Sequence, residues 1–235
     1  MKILNSVLIK FFFTFCLIVF FISTSTVFAF GEIRLYNYGF TKYHISESTD
    51  ISEVKLQIIA VELIDYLVGD SNVLDIRIDG NPLFNNKEIF HMSDVKILLE
   101  KVKLAKGISF FSLLIFSVLH LNPISLVKGK FITNNFISLF DFFRFGSVVA
   151  LLSILIVGIV LAVAFRPLFY LFHKISFSND FWQLDPRTDY LIRLFPEGFW
   201  IDATLMLVAA VVLLAMGTFL FFSTLRRFVA RKILI

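Results

Sequence analysis

The chain has 235 residues, of which 58% are hydrophobic, 31 are phenylalanine and only 17% are charged; its mean hydropathy is +0.85. A soluble domain carries about a quarter charged residues, so the composition excludes one and points to an integral membrane protein. The net charge of +4 is not a nucleic-acid signal, because the excess bases are confined to a few short segments.

A bilayer core about 30 Å thick takes roughly 20 helical residues to cross. The first stretch that long and apolar is residues 7–30, an expected transmembrane helix. A cleaved signal peptide ending at Val27-Phe28-Ala29 is the alternative, although the apolar stretch from Phe11 to Phe28 is longer than the usual signal core. The lone cysteine, Cys16, lies in this run and excludes an intrachain disulfide and a thiolate metal cage. Residues 31–106 form an outer polar segment patterned like folded structure. Asp50 and Glu53 have capping-box spacing. Val54, Ile58, Val61, Ile64, Leu67 and Val68 then make an apolar stripe at helical spacing, and Gly69 is a stop. Asn81-Pro82 marks a turn. A second helix begins near Asn85 and can run into the next span through Lys101, Lys103 and Lys106.

The second span is expected over residues 107–126, a link over 127–146, the third span over 147–171, a second polar loop over 172–202, the fourth span over 203–224 and a tail over 225–235. The fold class is therefore an all-α integral membrane protein, with four transmembrane helices and a partly helical extracellular segment between the first two. Orientation follows from the bases. The N-terminus, the link and the tail hold Lys2, Lys10, Lys128, Lys130, Arg144, Arg226, Arg227, Arg231 and Lys232 against Asp141, a balance of +8. The remaining 13 bases and 17 acids give −4. The positive-inside rule places both ends in the cytoplasm and both polar segments outside.

Two histidines then fall at one membrane face. His91 has Glu88 one turn before it and Asp94 one turn after it on a helix face. A carboxylate beside an imidazole suits a general base, while an interfacial ion pair is the alternative. His173 follows Arg166 at the outer end of the third span and precedes Asn179, Asp180, Trp182 and Asp185. That density of polar side chains at a boundary is costly unless they face one another or a wet cavity. An ordinary loop anchored by Trp182 and Trp200 is the alternative. His120 lies roughly 20 Å into the second span, near Asn122-Pro123, and cannot share that site without a break in the helix. His44 is expected to be solvent-exposed. A metal site from His91, Asp94, His173 and Asp180 is chemically conceivable, but no recognised ligand pattern supports it.

The runs Tyr38-Gly39-Phe40-Thr41-Lys42-Tyr43, Leu83-Phe84-Asn85 through Glu88, His91-Met92, Asp94-Val95-Lys96, and Asn179-Asp180 through Trp182, Leu184-Asp185-Pro186, Asp189, Leu191-Ile192 and Phe195-Pro196 together resemble the bacterial Lit family. Asn86 departs from the pattern, standing where an acidic residue is expected. The resemblance covers nearly the whole chain and implies a four-span lipoprotein intramolecular transacylase of the bacterial cell membrane. It implies transfer of the sn-2 acyl chain of a diacylglyceryl cysteine to that cysteine's own α-amino group, giving the lyso-form. His91 and His173 would be the catalytic pair, and Asp94, Glu88, Asn179, Asp180, Trp182, Asp185 and Arg166 the supporting or substrate-binding residues. The partners would be diacylated lipoproteins and membrane lipids. Ester to amide is downhill, so no cofactor is required. The other class considered is a small membrane transporter or a lipid-binding accessory protein. Transporters usually place ionisable groups at mid-membrane, whereas here they gather at one face.

Overall fold

The computed structural model describes the backbone of residues 2–121 and 129–233, and side chains from residue 7 onward apart from 122–134 and 232–235. The expected end of the second span at Leu126, the Asn122-Pro123 helix end and Lys128 in the link lie outside the described residues.

The described chain is mostly helical. In order come α1 (Lys2–Gly31), α2 (Ile33–Lys42), α3 (Ile45–Thr49), α4 (Glu53–Val68), β1 (Arg77–Ile78), β2 (Asn81–Pro82), α5 (Asn86–Leu121), α6 (Gly129–Val163), α7 (Phe165–Ser176), α8 (Tyr190–Leu194) and α9 (Glu197–Ile233). Four helices contain stretches long and apolar enough to cross a membrane: Val7–Gly31, Asn86–Leu121, Asn135–Val163 and Glu197–Arg231. The chain divides into two compact units, one of Met1–Ser25, Lys103–Gly158 and Val208–Ile235, the other of Thr26–Val102 and Ile159–Leu207.

The first unit is built from the apolar parts of the long helices and packs on aromatic rings. Phe13 is buried at its centre, with ring centroids 4.9 Å from Phe116, 5.5 Å from Phe142 and 4.9 Å from Phe143. Phe143 in turn stacks on Phe222 at 4.1 Å. Small residues allow close helix approach, the usual means of association where lipid removes the hydrophobic drive. Ser147, Ala150 and Ala215 are buried, and a Cβ on Gly146 would stand 2.8 Å from the Leu17 side chain. His120 lies here, stacked on Phe116 at 5.5 Å.

The second unit holds a continuous core in which Leu35, Phe40, Leu56, Ile59, Leu63, Leu67, Leu99, Leu194 and Phe199 are all buried. Several sequence expectations change here. Asp50 does not cap α4; it takes a left-handed conformation (φ 58°) ending α3, and Ser52 is the cap, its hydroxyl accepting from the Lys55 N–H. The face of α4 that packs is Leu56, Ile59, Ala60, Leu63, Tyr66 and Leu67, whereas Val54, Ile58 and Val61 of the expected stripe are exposed. The turn falls one step before Asn81-Pro82. Asp79 (φ 51°) and Gly80 (φ 83°) form a two-residue hairpin turn, where both central residues need positive φ, and Asn81 and Pro82 pair with Ile78 and Arg77. His44 is exposed, 3.5 Å from Glu47.

The third long helix stops at Val163, before the expected Leu171. Ala164 breaks it (φ −125°), and a separate twelve-residue helix, α7, begins at Phe165. Pro167 explains the break. Its ring would clash with the Val163 carbonyl in a continuous helix, but in the first turn of a new one its missing N–H costs nothing.

Gly39 packs directly on Phe199: a Cβ there would come within 2.4 Å of the ring. Gly39→Ala is expected to lower stability by about 1–3 kcal/mol through overpacking, read as a reduced Tm in detergent. An unchanged Tm would mean that Phe199 relaxes without strain.

Candidate active site

The site is built within the second unit, where the start of α5 meets the loop that follows α7. Asn85 and Glu88 cap α5 reciprocally: the Asn85 Oδ1 accepts from the Glu88 N–H (3.1 Å), and Glu88 Oε2 accepts from the Asn85 N–H (2.9 Å). This is a capping box with asparagine at the cap. The other Glu88 oxygen, Oε1, accepts from the backbone N–H of Leu191 at 2.6 Å. Glu88 is 1% exposed, so its carboxylate ties the two segments together in a dry environment.

Further ties run along the same face of α5. The Asn85 side chain donates to Asp189 Oδ1 (2.9 Å), and Asp189 Oδ2 accepts from the Asp185 N–H (2.8 Å). Lys87 donates to the Gln183 carbonyl and lies 3.9 Å from Asp189. Burial pushes the Asp189 carboxyl up. Bonds from the Asp185 N–H, the Thr188 hydroxyl and the Asn85 amide, with the Lys87 charge, outweigh that and hold it below the usual carboxylate range. Phe90 stacks on Phe181 at 5.4 Å. One turn beyond His91, Asp94 Oδ2 accepts from the Asn179 side chain at 2.8 Å.

Between these ties the two imidazoles meet. The His91 and His173 ring centroids are 6.0 Å apart, and both rings are buried, at 7% and 8% exposure. Phe177 and His91 meet in a T-shaped contact at 5.2 Å, while Phe169 and Trp182 lie 4.3 and 5.2 Å from His173. His173 Nδ1 is 2.7 Å from the Phe169 carbonyl oxygen. A carbonyl only accepts, so Nδ1 carries the proton and the neutral ring keeps its lone pair on Nε2. Burial lowers the His173 pKa from its ordinary value, against a smaller opposing effect of the Phe169 bond. His91 Nδ1 is buried without a hydrogen-bond partner among the described residues.

Both imidazoles line a cavity of about 500 Å³ whose walls are otherwise almost wholly apolar, including Tyr36, Leu63, Met92, Leu99, Phe169 and Trp200. That volume and character are those of a small-molecule or lipid site with few polar groups. A buried donor–acceptor pair of imidazoles facing such a space can move protons between groups of a bound apolar molecule.

The other candidates divide. Glu88, Asp94, Asn179 and Trp182 belong to the framework around the imidazoles, although Asp94 bonds Asn179 where a bond to His91 was expected. Asp180 is exposed and accepts from the Gln183 side chain. The Asp185 carboxylate pairs with Arg187, which draws its pKa down to about 2, and Arg166 pairs with Glu197 in an exposed bridge. Asn86 is exposed in the first turn of α5. Asp189, Asn85 and Lys87 were not foreseen as part of the site. Their cue was the crowding of polar residues in the two histidine-bearing segments. The Phe169 carbonyl left no cue. Among the described residues no three His, Cys, Asp or Glu side chains are grouped to hold a metal ion.

Comparison with known proteins places this arrangement. The structure of the membrane integral lipoprotein intramolecular transacylase Lit from Bacillus cereus, solved in meso, matches with a TM-score of 0.74 over 96% of this chain and 95% of that one, at 22% identity. Structures of the same protein with a histidine-to-arginine and a histidine-to-alanine mutation each match with a TM-score of 0.70 at 20% identity, over 96% of this chain and 92% and 93% of theirs. An uncharacterized protein of Aquifex aeolicus (strain VF5) is 30% identical over 127 residues, which is 54% of this chain and 50% of that protein. The match thus spans about half the length of that curated relative. The sequence profile described as lipoprotein intramolecular transacylase Lit matches residues 11–200, a range that contains both imidazoles and the segments that clamp them. On that match, the chain belongs to the Lit family of lipoprotein intramolecular transacylases.

Proposed function

We propose that this chain catalyses intramolecular O-to-N acyl transfer on bacterial lipoproteins, moving the sn-2 acyl chain of the diacylglyceryl cysteine to its own α-amino group to leave the lyso-form. The observation that carries this reading is the pair of buried imidazoles, 6.0 Å apart, lining one apolar cavity. A lipid ester is an apolar substrate, and its transfer to an amine needs only proton movement.

In the proposed sequence the neutral amine attacks the ester carbonyl carbon. His173 Nε2 takes the proton that the nitrogen sheds. The proton passes from His173 to His91, the carbon–oxygen bond to glycerol breaks, and the departing oxygen takes a proton from His91. Both rings end neutral, so the balance closes without a cofactor. The assignment of base to His173 rests on its Phe169 bond. That of acid to His91 rests on its unpartnered Nδ1, since a buried N–H without an acceptor is costly and favours the proton on Nε2. Amine and ester belong to one molecule, so holding them in attack geometry supplies much of the acceleration. Glu88, Asp189 and the Asp94–Asn179 pair act by position, fixing the segments that carry the imidazoles.

The proposed orientation has both ends in the cytoplasm and the imidazoles at the outer face, where lipoprotein cysteines are anchored. Cysteine introduced at the exposed Asp75 is expected to react with an impermeant reagent on intact cells, and cysteine at Arg231 only after lysis. Labelling of position 231 on sealed cells would overturn the orientation.

His91→Ala and His173→Ala are each expected to lower the rate about a hundred- to ten-thousand-fold, the double variant being scarcely worse. His44→Ala and His120→Ala should stay active. Substrate and product are isomers, so the readout is tandem mass spectrometry of a diacylated lipopeptide, whose fragments report an N-acylated cysteine. Normal turnover by both single variants would rule out the catalytic assignment.

The pH dependence of kcat has a defined sign. The base works only while unprotonated, so activity is lost as pH falls through the His173 pKa. Burial lowers that pKa, and the acid limb is expected below the ordinary imidazole value of about 6.5. Protonation of the substrate's own α-amino group, at about pH 8, gives a separate limb, so a profile with no second loss of activity below about 6.5 would reject His173 as the base.

A further inference from the structure

The first unit contains a second cavity, of about 710 Å³, at the end of the long helices that carries Lys10, Asp141 and Arg144. Its lining joins these charges to Phe142, Phe145 and Phe219. Asp141 Oδ1 accepts from both Arg144 Nη1 (2.7 Å) and Arg226 Nε (2.9 Å). Arg144 also donates through Nε to Ser223 (3.0 Å), and its guanidinium lies 5.5 Å from the Phe219 ring centre. A guanidinium has five N–H donors, and these bonds use two of those on Arg144. Lys10 also faces the cavity and makes no ion pair among the described residues.

The charges do not balance. Among the described residues Lys10, Arg144 and Asp141 line the cavity and Arg226 bonds Asp141, three bases to one acid, which leaves +2 beside an apolar wall. Unpaired charge beside the hydrocarbon region is costly unless an anion or water compensates it. Asp141 holds the two guanidinium groups in fixed positions, and Arg144 and Lys10 still have N–H bonds to give. The aromatic and aliphatic wall beside them suits hydrocarbon, which neither a free ion nor a soluble metabolite supplies.

From this juxtaposition we propose that the cavity is a binding site for the phosphate of an anionic glycerophospholipid, with Arg144 and Lys10 as donors and Phe142, Phe145 and Phe219 against the acyl chains. Under the proposed orientation that lipid belongs to the cytoplasmic leaflet. The binding itself is independent of the acyl-transfer reading and of the cavity that holds the histidines.

The test is native mass spectrometry of the full-length protein released from detergent, titrated with phosphatidylglycerol or phosphatidylcholine. Phosphatidylglycerol is expected to bind in preference. Lys10→Gln should weaken it about five-fold and Lys10→Gln with Arg144→Gln about twenty-five-fold, each base contributing a similar share near a lipid phosphate. Excess inorganic phosphate should not displace it. Equal affinity for the two lipids, or equal binding of phosphatidylglycerol by the wild type and Lys10→Gln, would overturn the proposal. Displacement by inorganic phosphate would make this a site for a soluble anion and overturn the lipid assignment. Lys10 takes no part in the packing ties described above, so the single variant answers the question even if the double variant folds poorly.

Discussion

A single buried carboxylate joins the two halves of the candidate site. Glu88 accepts from the Asn85 N–H at the start of α5 and from the Leu191 N–H more than a hundred residues later. The Leu191 N–H would otherwise be a buried donor without a partner, and leaving it unsatisfied costs about 1–3 kcal/mol. The clamp therefore satisfies a helix start, anchors a returning loop and excludes water in one step. The remaining ties, from Asn85 to Asp189 and from Asn179 to Asp94, extend it along successive turns of one helix face. The imidazole of His91 stands between them, so its placement against His173 follows from bonds made by its neighbours.

Much of this was legible in the sequence. Apolar length alone marked four helices, and the crowding of His, Asn and Asp in two segments pointed to the site. Details of partnership were less legible. Asp94 sits one turn from His91, and spacing on the helix suggested a bond that the structure gives to Asn179 instead. A helical period shows which residues share a face, but it does not show which distant side chain will arrive there. The same limit explains α4. Leu56, Ile59 and Leu63 make one apolar face and Val54, Ile58 and Val61 another, so periodicity found a stripe without determining which side packs. The end of the third span was missed because Pro167 is surrounded by apolar residues. Hydropathy runs through that position, whereas backbone sterics do not.

The two cavities divide the chemistry of the molecule. One is nearly uncharged, and its polar equipment is two imidazoles with a few hydroxyls. The other is strongly charged and has no histidine among its described lining residues. The first suits proton movement on an apolar ligand, and the second suits retention of an anion. Belonging to the Lit family accounts for the former alone. The latter follows from Arg144 and Arg226 on Asp141, with Lys10 on the same cavity lining.

The bond from His173 to Phe169 lies wholly within α7, four residues apart on one short helix that the break at Ala164 separates from α6. The partner that selects the tautomer thus travels with the ring. A bond internal to α7 keeps the lone pair on Nε2 whatever the distance between His173 and His91. Chemical readiness and spatial approach are then set by different parts of the molecule.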